Sequence, residues 1–169
     1  LFLGEVRSKS VGAAVVERSK IPARWCDSGL IVVEETRTAL GRLAGRYRAD
    51  FAVPMIAVGG SNGKTTTKEL LTSVLSQKYK TLSSEASFNN EIGVPLTLLN
   101  LDRGHQAAVL EVGTNHPGEL APLVRLIQPR FGVMTSIGRE HLEFFGDLAG
   151  VIEEEGWLGE LLPANGKLF

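Results

Sequence analysis

The chain has 169 residues, of which 43% are hydrophobic and 22% are charged, and its formal net charge is −1. A chain of this size and composition can bury a sizeable core and is long enough for one domain and part of a second. A net charge so close to zero gives no electrostatic reason to expect nucleic acid or an anionic membrane as the partner.

The sequence also carries few signals for location. No apolar run approaches the roughly 20 residues of a membrane span, and no signal-peptide pattern opens the chain. The single cysteine, Cys26, excludes an internal disulfide, as is usual in a reducing compartment. We expect a cytoplasmic monomer. Because the chain begins at Leu1 without methionine and closes at residues 167–169 on what is typical of the start of a strand, we expect a fragment of a longer protein.

The first 50 residues predict a small α/β segment. Short apolar runs at residues 1–3, 13–16 and 30–33 are typical of strands. From Thr36 onward the apolar spacing becomes that of a helix. This segment shows no recognisable chemistry of its own. We place a boundary near residues 50–54, just before the next strand.

A phosphate-binding loop is predicted after the strand at residues 55–58. The strand is followed by a glycine-rich turn, a Gly-Lys-Thr triplet and a helical segment. In such a loop the glycines let the backbone fold around a phosphate, and the helix N-terminus supplies partial positive charge. Lys64 would add a full charge, and Thr65 is placed to coordinate Mg²⁺. The strict pattern requires glycine where Val58 stands, so this is a shortened variant, and a glycine-rich turn with a solvated lysine is the alternative.

Strands and helices alternate through the rest of the chain. The helix after the loop is predicted to bury Leu70, Leu71, Val74 and Leu75. Further strands are predicted at residues 80–82, 107–113 and 131–135, a polar turn at 87–95, and helices at 118–127 and 147–162. This order predicts an α/β fold with a mostly parallel sheet flanked by helices. Ligands of such sheets bind beyond the carboxyl ends of the strands.

Two residues that could bind a metal follow strands at that edge. Glu111 lies near the end of an apolar strand, where a buried carboxylate is costly unless it is protonated or paired with a cation. A metal ion bound to nucleotide phosphates would be such a cation, and a side chain that leaves the sheet for solvent is the alternative. His141 lies in the loop after the following strand, where it is either a ligand or hydrogen-bond donor or simply exposed.

Glu155 is an unexpected carboxylate on the last predicted helix. It falls within an apolar stripe, at i+3 from Ile152 and i+4 from Val151. Its neighbours Glu153 and Glu154 are expected to face solvent. Glu155 itself either reaches past the rim of the core or faces a cation.

Asn89 and Asn90 lie in the polar turn beside the predicted phosphate edge. Their neutral side chains could orient substrate or water, or could only cap a turn.

Four segments of the chain, residues 60–69, 88–99, 110–119 and 141–146, together resemble the Mur ligase family. They cover about residues 55–160 in the family's order and are jointly highly specific. The Asn-Asn-Glu-Ile-Gly-Val-Pro run that begins at Asn89 indicates one particular member of the family.

The resemblance implies an ATP-dependent enzyme that forms an amide bond. In this family ATP phosphorylates a substrate carboxylate, the incoming amine attacks the acyl phosphate, and a tetrahedral intermediate collapses to amide, ADP and phosphate. The cofactors implied are ATP and Mg²⁺. The substrates implied are small molecules, a UDP-muramoyl peptide and, for the member indicated, D-alanyl-D-alanine.

The resemblance also implies roles for individual residues. Nucleotide contacts fall on Gly60, Ser61, Asn62, Gly63, Lys64, Thr65 and Thr66, with Asn89 and Asn90 beside them. Metal contacts fall on Thr65, Glu111, His141 and Glu155. The catalytic set is then Lys64, Glu111, His141 and Glu155.

The sequence departs from the family pattern in three places. Gly59 stands where the family usually has threonine. Glu155 aligns with a lysine that the family carbamylates to support a second metal ion, and a glutamate could supply the same charge on a shorter stem. The Asp-Gly-His loop usual in the member indicated is absent from the first 20 residues, which puts uridine-nucleotide recognition in doubt.

The resemblance divides the chain into two domains. Residues 1–50 correspond to part of an abbreviated N-terminal substrate-binding domain, and residues 51–169 to a central ATP-binding domain truncated at its C-terminus. The family's C-terminal domain is absent, so we expect the fragment to be inactive alone. The rival interpretations are another ligase of the superfamily, such as a folylpolyglutamate synthase, a regulatory nucleotide-binding module, and a degenerate structural domain.

Overall fold

A computed structural model of the chain describes residues 5, 9, 11–21 and 29–169. The chain forms two compact units, Leu1–Leu40 and Gly41–Phe169. The strand predicted at residues 1–3 lies outside the described residues. Within the part of the chain that the structure describes, no helix is long and apolar enough to cross a membrane.

The first unit contains a pair of parallel strands. Strand β1 (Ala14–Glu17) lies beside β2 (Leu30–Val33), with Ala14 opposite Leu30. The side-chain hydroxyl of Thr36 donates a hydrogen bond of 3.0 Å to the Glu17 carboxylate. The strands predicted at residues 13–16 and 30–33 are therefore confirmed.

The second unit is built on a five-stranded parallel sheet. Its strands are β3 (Met55–Gly59), β4 (Thr81–Ser83), β5 (Ala107–Glu111), β6 (Phe131–Met134) and β7 (Lys167–Leu168). They lie in the order β4-β5-β3-β6-β7, and all the pairs described are parallel. Strand β5 is buried along its whole length, as expected for a strand covered on both faces. The predicted α/β fold with a mostly parallel sheet is confirmed.

Helices connect the strands and cover the sheet. They are α1 (Thr36–Arg48), α2 (Lys64–Leu75), α3 (Gly93–Leu98), α4 (Leu120–Ile127), α5 (Leu142–Phe145) and α6 (Leu148–Glu160). Helix α4 contributes several fully or largely buried apolar side chains to the core, and α6 contributes Val151 and Leu158. The boundary between the two compact units falls inside α1, between Leu40 and Gly41.

Helix α2 turns a different face to the sheet from the one its apolar spacing predicts. Leu70 and Val74 are 63% and 70% exposed, so the predicted buried face is wrong for these two residues. The buried side chain of the helix is Lys68. Its ammonium reaches the backbone oxygens of Ser84 and Ala86, 2.9 and 3.0 Å away, beyond the end of β4. The face of α2 that carries Lys68 is therefore the buried one, and apolar periodicity alone does not predict it.

Candidate active site

The loop that follows β3 has a backbone that requires glycine. Gly60 and Gly63 have φ values of 112° and 84°, in the left-handed region that residues with a Cβ rarely adopt. A Cβ on Gly60 would also lie only 2.6 Å from the backbone oxygen of Ser136 and from the Thr135 hydroxyl. The glycines of this loop therefore serve both its turns and its close approach to the segment after β6.

The segment after β6 supports the loop through hydrogen bonds. The Ser61 N–H donates to the Ser136 backbone oxygen over 2.8 Å, and the Asn62 N–H donates to the Ser136 hydroxyl over 3.0 Å. In return, the Gly138 N–H donates to the Ser61 hydroxyl over 2.8 Å. The loop is thus held in one conformation by its neighbour at the sheet edge.

Helix α2 begins where the loop ends, and its N-terminus faces the same edge. The first bond of the helical pattern runs from the Thr67 N–H to the Gly63 oxygen over 2.9 Å. The preceding amides are donors that a helix cannot satisfy internally, and they carry the positive end of the helix dipole. The Lys64 ammonium donates to the backbone oxygens of Gly60 and Ser61, the latter 3.2 Å away. This combination is suited to binding an anion such as a phosphate.

Glu111 is buried at the end of β5 and is bound by three polar groups. Only 1% of the residue is exposed, which excludes a side chain that reaches solvent. The Thr65 hydroxyl donates to one carboxylate oxygen over 2.8 Å, and the Asn89 amide donates to the other over 2.9 Å. The Glu111 N–H donates to the Ser84 hydroxyl over 3.0 Å. Residues that the sequence predicts for metal and nucleotide contacts therefore meet in one cluster, to which Ser84 is added.

Glu155 is buried against the glycine loop that follows β3. It is 1% exposed, and one carboxylate oxygen accepts the Gly60 N–H over 2.9 Å. Among the described residues no donor reaches its other oxygen, Oε1, which is also buried. Burial raises the pKa of Glu155 to about 7; Lys64 and the Gly60 N–H oppose this shift, and Glu140 and Glu154 add to it. A buried oxygen without a donor, on a group with a raised pKa, fits either a proton or a bound cation.

The space that the Glu155 carboxylate occupies depends on Gly59. A Cβ at Gly59 would lie 3.3 Å from Oε2 of Glu155 and 3.0 Å from the Leu158 side chain. The absence of a side chain at residue 59 therefore gives this carboxylate room beside the loop. Both residues depart from the family pattern, but nothing in the sequence indicates that they lie side by side.

The expectation that Glu154 faces solvent is wrong. It is only 4% exposed, and its carboxylate accepts the N–H groups of Gly118 and Leu120, each over 2.8 Å. Leu120 is the first residue of α4, so the carboxylate satisfies amides at the N-terminus of that helix. Helical spacing could not predict this role, because the two donors come from the segment after β5 and from the first residue of α4, which are distant in sequence from Glu154.

The remaining predicted site residues have other surroundings. The Asn90 side chain accepts the N–H groups of Ile92 and Gly93 over 3.2 and 2.9 Å, and so caps the start of α3. Thr66 is exposed. His141 precedes α5 with a φ of 46° and is partly exposed. Within the described residues, no group of three or more His, Cys, Asp or Glu side chains is arranged to hold a metal ion, so Glu111, His141 and Glu155 do not form one cluster here.

The fold is a parallel α/β domain with a glycine-rich loop and a helix N-terminus at the carboxyl edge of its sheet. The Mur ligase middle domain family matches residues 58–169. Over 165 residues the chain is 38% identical to the UDP-N-acetylmuramoyl-tripeptide–D-alanyl-D-alanine ligase of Escherichia coli K12. That alignment covers 98% of this chain and 36% of the relative. The chain belongs to the Mur ligase family, and it spans little more than a third of the length of this relative.

Solved structures point to the same member of the family. A crystal structure of MurF from Acinetobacter baumannii has a TM-score of 0.89 and 35% identity, covering 99% of this chain and 36% of that one. MurF from Thermotoga maritima, solved in complex with ADP, has a TM-score of 0.89 and 30% identity, covering 99% of this chain and 38% of that one. The recognition made from the sequence motifs is confirmed.

Proposed function

We propose that the chain is the nucleotide-binding part of an ATP-dependent ligase that joins D-alanyl-D-alanine to UDP-N-acetylmuramoyl-tripeptide in peptidoglycan synthesis. The observation that carries the proposal is the Thr65–Glu111 hydrogen bond of 2.8 Å beside the glycine loop. It brings a hydroxyl and a carboxylate together within one helical turn of Lys64. The proposal is supported by the names of the relatives and by the ADP complex of the Thermotoga maritima structure.

The phosphates of ATP are assigned to the loop residues and the first turn of α2. The contacts would come from residues 60–66, with Lys64 turning from its backbone partners toward the outer phosphates. Asn89 would act beside these residues by donating a hydrogen bond to Glu111. Asn90 would act by stabilising the turn that carries Asn89. The residues act by placing the transferring phosphoryl group and by neutralising its charge.

The Thr65–Glu111 pair fits a magnesium ion. Mg²⁺ prefers oxygen ligands, and in nucleotide sites it is bound by one or two protein oxygens together with the phosphates. Here a hydroxyl oxygen and a carboxylate oxygen lie 2.8 Å apart at the end of the loop. When bound, Mg²⁺ would neutralise charge on the phosphates.

Glu155 is proposed as a second cation ligand, in the position where the family carries a carbamylated lysine. The buried oxygen without a donor supports a site for a cation, and the Lys64 charge favours the ionised form of the carboxylate. His141 is proposed as a partner in this second site, which would require its loop to approach Glu155 when nucleotide is bound. This assignment makes the enzyme independent of bicarbonate.

The reaction proposed is a transfer followed by a displacement. The substrate carboxylate attacks the γ-phosphorus of ATP, and ADP leaves with the electrons of the broken bond. The amine of D-alanyl-D-alanine then attacks the acyl carbon, loses a proton, and expels inorganic phosphate as the amide forms. The chain described here would supply the phosphate and metal contacts of the first step. We propose that the protein acts in the cytoplasm as a monomer.

The phosphate assignment is tested by binding Mg·ADP to the chain and to the variant Lys64→Ala. Removing the charge at the outer phosphates is expected to weaken binding by roughly 100-fold, as for loss of a charge-assisted contact worth about 2.7 kcal/mol. Isothermal calorimetry measures both constants. The control is Lys78→Ala, which removes an exposed lysine in the turn three residues after the same helix ends.

Two outcomes would contradict the proposal. Equal affinities of the wild-type chain and the Lys64→Ala variant would remove the phosphate assignment. ATP hydrolysis by the longer protein that does not depend on a carboxylate acceptor would favour a regulatory nucleotide-binding module. A panel of amine substrates separates D-alanyl-D-alanine addition from the other ligases of the superfamily.

A further inference from the structure

Lys68 is a buried lysine with no role in the phosphate and metal contacts proposed above. The residue is 0% exposed, although lysine is almost never fully buried without partners. Its ammonium donates to the backbone oxygens of Ser84 and Ala86 over 2.9 and 3.0 Å and contacts the Glu69 carboxylate. All three hydrogens of the ammonium therefore have acceptors within reach.

Packing alone does not account for a lysine at this position. Removing an ammonium from water costs several kcal/mol, which its hydrogen bonds offset only in part. An unbranched apolar side chain such as methionine would fill a similar space without that cost. The feature peculiar to lysine is that it binds two carbonyl oxygens of one segment, whose residue Ala86 has a φ of 46°. The ammonium therefore secures a turn of unusual backbone conformation.

The segment secured by Lys68 is the one that orients Glu111. Its residue Ser84 accepts the Glu111 N–H over 3.0 Å. Five residues later, Asn89 donates to a carboxylate oxygen of Glu111 over 2.9 Å, and its backbone oxygen accepts the Gly113 N–H over 2.9 Å. Two of the three polar groups that bind Glu111 thus come from the stretch that begins at the lysine's acceptors.

Helix α2 contacts both Glu111 and the segment that orients it. Thr65, the third group bound to Glu111, lies three residues before Lys68, a spacing that places both side chains on neighbouring parts of one helical face. One turn of α2 therefore binds the Glu111 carboxylate directly through Thr65 and indirectly through Lys68. A shift of the segment at residues 84–89 would move Asn89 and free one oxygen of the carboxylate.

We propose that Lys68 is a positioning residue for the Glu111 carboxylate, which it holds in place by fastening residues 84–89 to the helix that follows the phosphate loop. This inference rests on the proposed function, because Glu111 is there assigned to a magnesium ion. Lys68 touches neither the nucleotide nor the metal in this scheme. It would hold the Glu111 carboxylate in the place from which it could bind the ion.

The test compares Lys68→Met with Lys78→Met, the same change at an exposed lysine in the turn after the helix. ADP affinity is measured by calorimetry with Mg²⁺ and again with EDTA. Loss of a group that supports a metal ligand typically weakens metal binding by roughly 10- to 100-fold. We expect Lys68→Met to lower Mg·ADP affinity by at least about tenfold and to leave ADP affinity in EDTA within about twofold of wild type. Lys78→Met should change neither value.

The Mg²⁺ dependence separates positioning from a role in stability alone. A folded Lys68→Met chain that binds Mg·ADP as wild type does would overturn the proposal, and so would an equal loss with and without Mg²⁺. If Lys68→Met does not fold, Ser84→Ala tests the other end of the connection, since it removes the acceptor of the Glu111 N–H. Wild-type Mg·ADP affinity in Ser84→Ala would likewise overturn it.

Hydrogen exchange tests the positioning role of Lys68 without relying on nucleotide binding. If the wild-type chain does not bind Mg·ADP, the phosphate and metal assignment fails, but the exchange rates of backbone amides still report on Lys68. We expect Lys68→Met to speed exchange of the Glu111 and Gly113 amides by at least about tenfold relative to wild type, whereas amides of β6 keep their rates. Unchanged exchange at Glu111 and Gly113 in a folded variant would overturn the positioning role.

Discussion

At the scale of single residues, Glu155 combines burial with an incomplete set of partners. One oxygen accepts the Gly60 N–H, and no donor among the described residues reaches the other. Burial is the main cause that raises the pKa of this carboxyl from its ordinary 4.5 to about 7. In the absence of a cation, the native chain therefore retains a proton on Glu155 over a pH range in which the unfolded chain has lost it.

This proton gives Glu155 a measurable effect on stability. Because the native state binds more protons than the unfolded state between pH 4.5 and about 7, stability falls as pH rises through that window. The loss attributable to Glu155 is on the order of 3 kcal/mol. In Glu155→Gln, which cannot titrate, this part of the pH dependence should disappear. Urea unfolding of the wild-type chain and of Glu155→Gln from pH 4 to 8, in EDTA, measures how the free energy of unfolding of each depends on pH.

A parallel pH dependence in wild type and Glu155→Gln would contradict the raised pKa. The same pH dependence measured with Mg²⁺ and ADP present tests whether a cation binds Glu155. A cation at the free oxygen favours the charged carboxylate, so the pH-dependent loss in wild type should become smaller. The Gln variant should not respond in this way.

Sequence patterns identify the buried carboxylates of the candidate site better than they identify the residues that support them. Glu111 and Glu155 stand out in the sequence because each interrupts an apolar strand or stripe, although a side chain that reaches solvent is the alternative for each. Both are 1% exposed, so both are buried. Lys68, Ser84 and Glu154 were missed, because their partners are backbone groups of segments distant in sequence. No periodicity records such contacts, since any side chain of suitable length and polarity could make them.

At the scale of elements, α6 holds two loops of the candidate site through consecutive carboxylates. Glu155 accepts an N–H of the glycine loop after β3, and Glu154 accepts one N–H from the loop after β5 and one from the first residue of α4. Adjacent residues on a helix point about 100° apart, which suits two neighbouring loops. Movement of α6 would therefore disturb the loop of Gly60 and the loop of Gly118 together.

Glu154→Gln should weaken this arrangement on the β5 side. A glutamine has one acceptor oxygen for two N–H groups, and its own NH₂ group would face one of them. It also removes a negative charge from the N-terminus of α4. We expect a loss of about 1 to 3 kcal/mol in the free energy of unfolding, measured by urea titration.

The neighbouring variant Glu153→Gln provides the matched control. Glu153 is exposed on the same helix, so its change should stay within about 0.5 kcal/mol of wild type. Equal midpoints for the variants at residues 153 and 154 would show that the buried carboxylate of Glu154 contributes nothing to stability.

At the scale of the whole molecule, every loop of the candidate site lies at one edge of a single sheet. The segments after β3, β4, β5 and β6 supply Gly60, Ser84, Gly113 and Ser136, respectively. Parallel strands bring their carboxyl ends together, which is why alternating strands and helices in the sequence sufficed to predict this edge. What the pattern could not predict is which loop residues bond to one another there, because this depends on side-chain reach across neighbouring strands.

The common edge predicts where nucleotide binding will protect the chain. Mg·ADP should slow amide exchange in residues 60–66, 84–89 and 135–138, since these segments share hydrogen bonds at the site. Saturation at about 100 times the dissociation constant should also add about 2.7 kcal/mol to the free energy of unfolding. Hydrogen exchange with mass spectrometry, with ADP in EDTA as the reference, measures the pattern. Protection restricted to residues 11–40 would place the nucleotide elsewhere.

The space beside Gly59 makes two positions in the chain depend on each other. A side chain at residue 59 would crowd the Glu155 carboxylate and Leu158, from 3.3 and 3.0 Å. Residues in contact of this kind have effects that do not add. The effects of Gly59→Thr and Glu155→Gln on the free energy of unfolding should therefore be non-additive, which a double-mutant cycle measures. A designer who adds a side chain at residue 59 therefore has to choose the residue at position 155 at the same time.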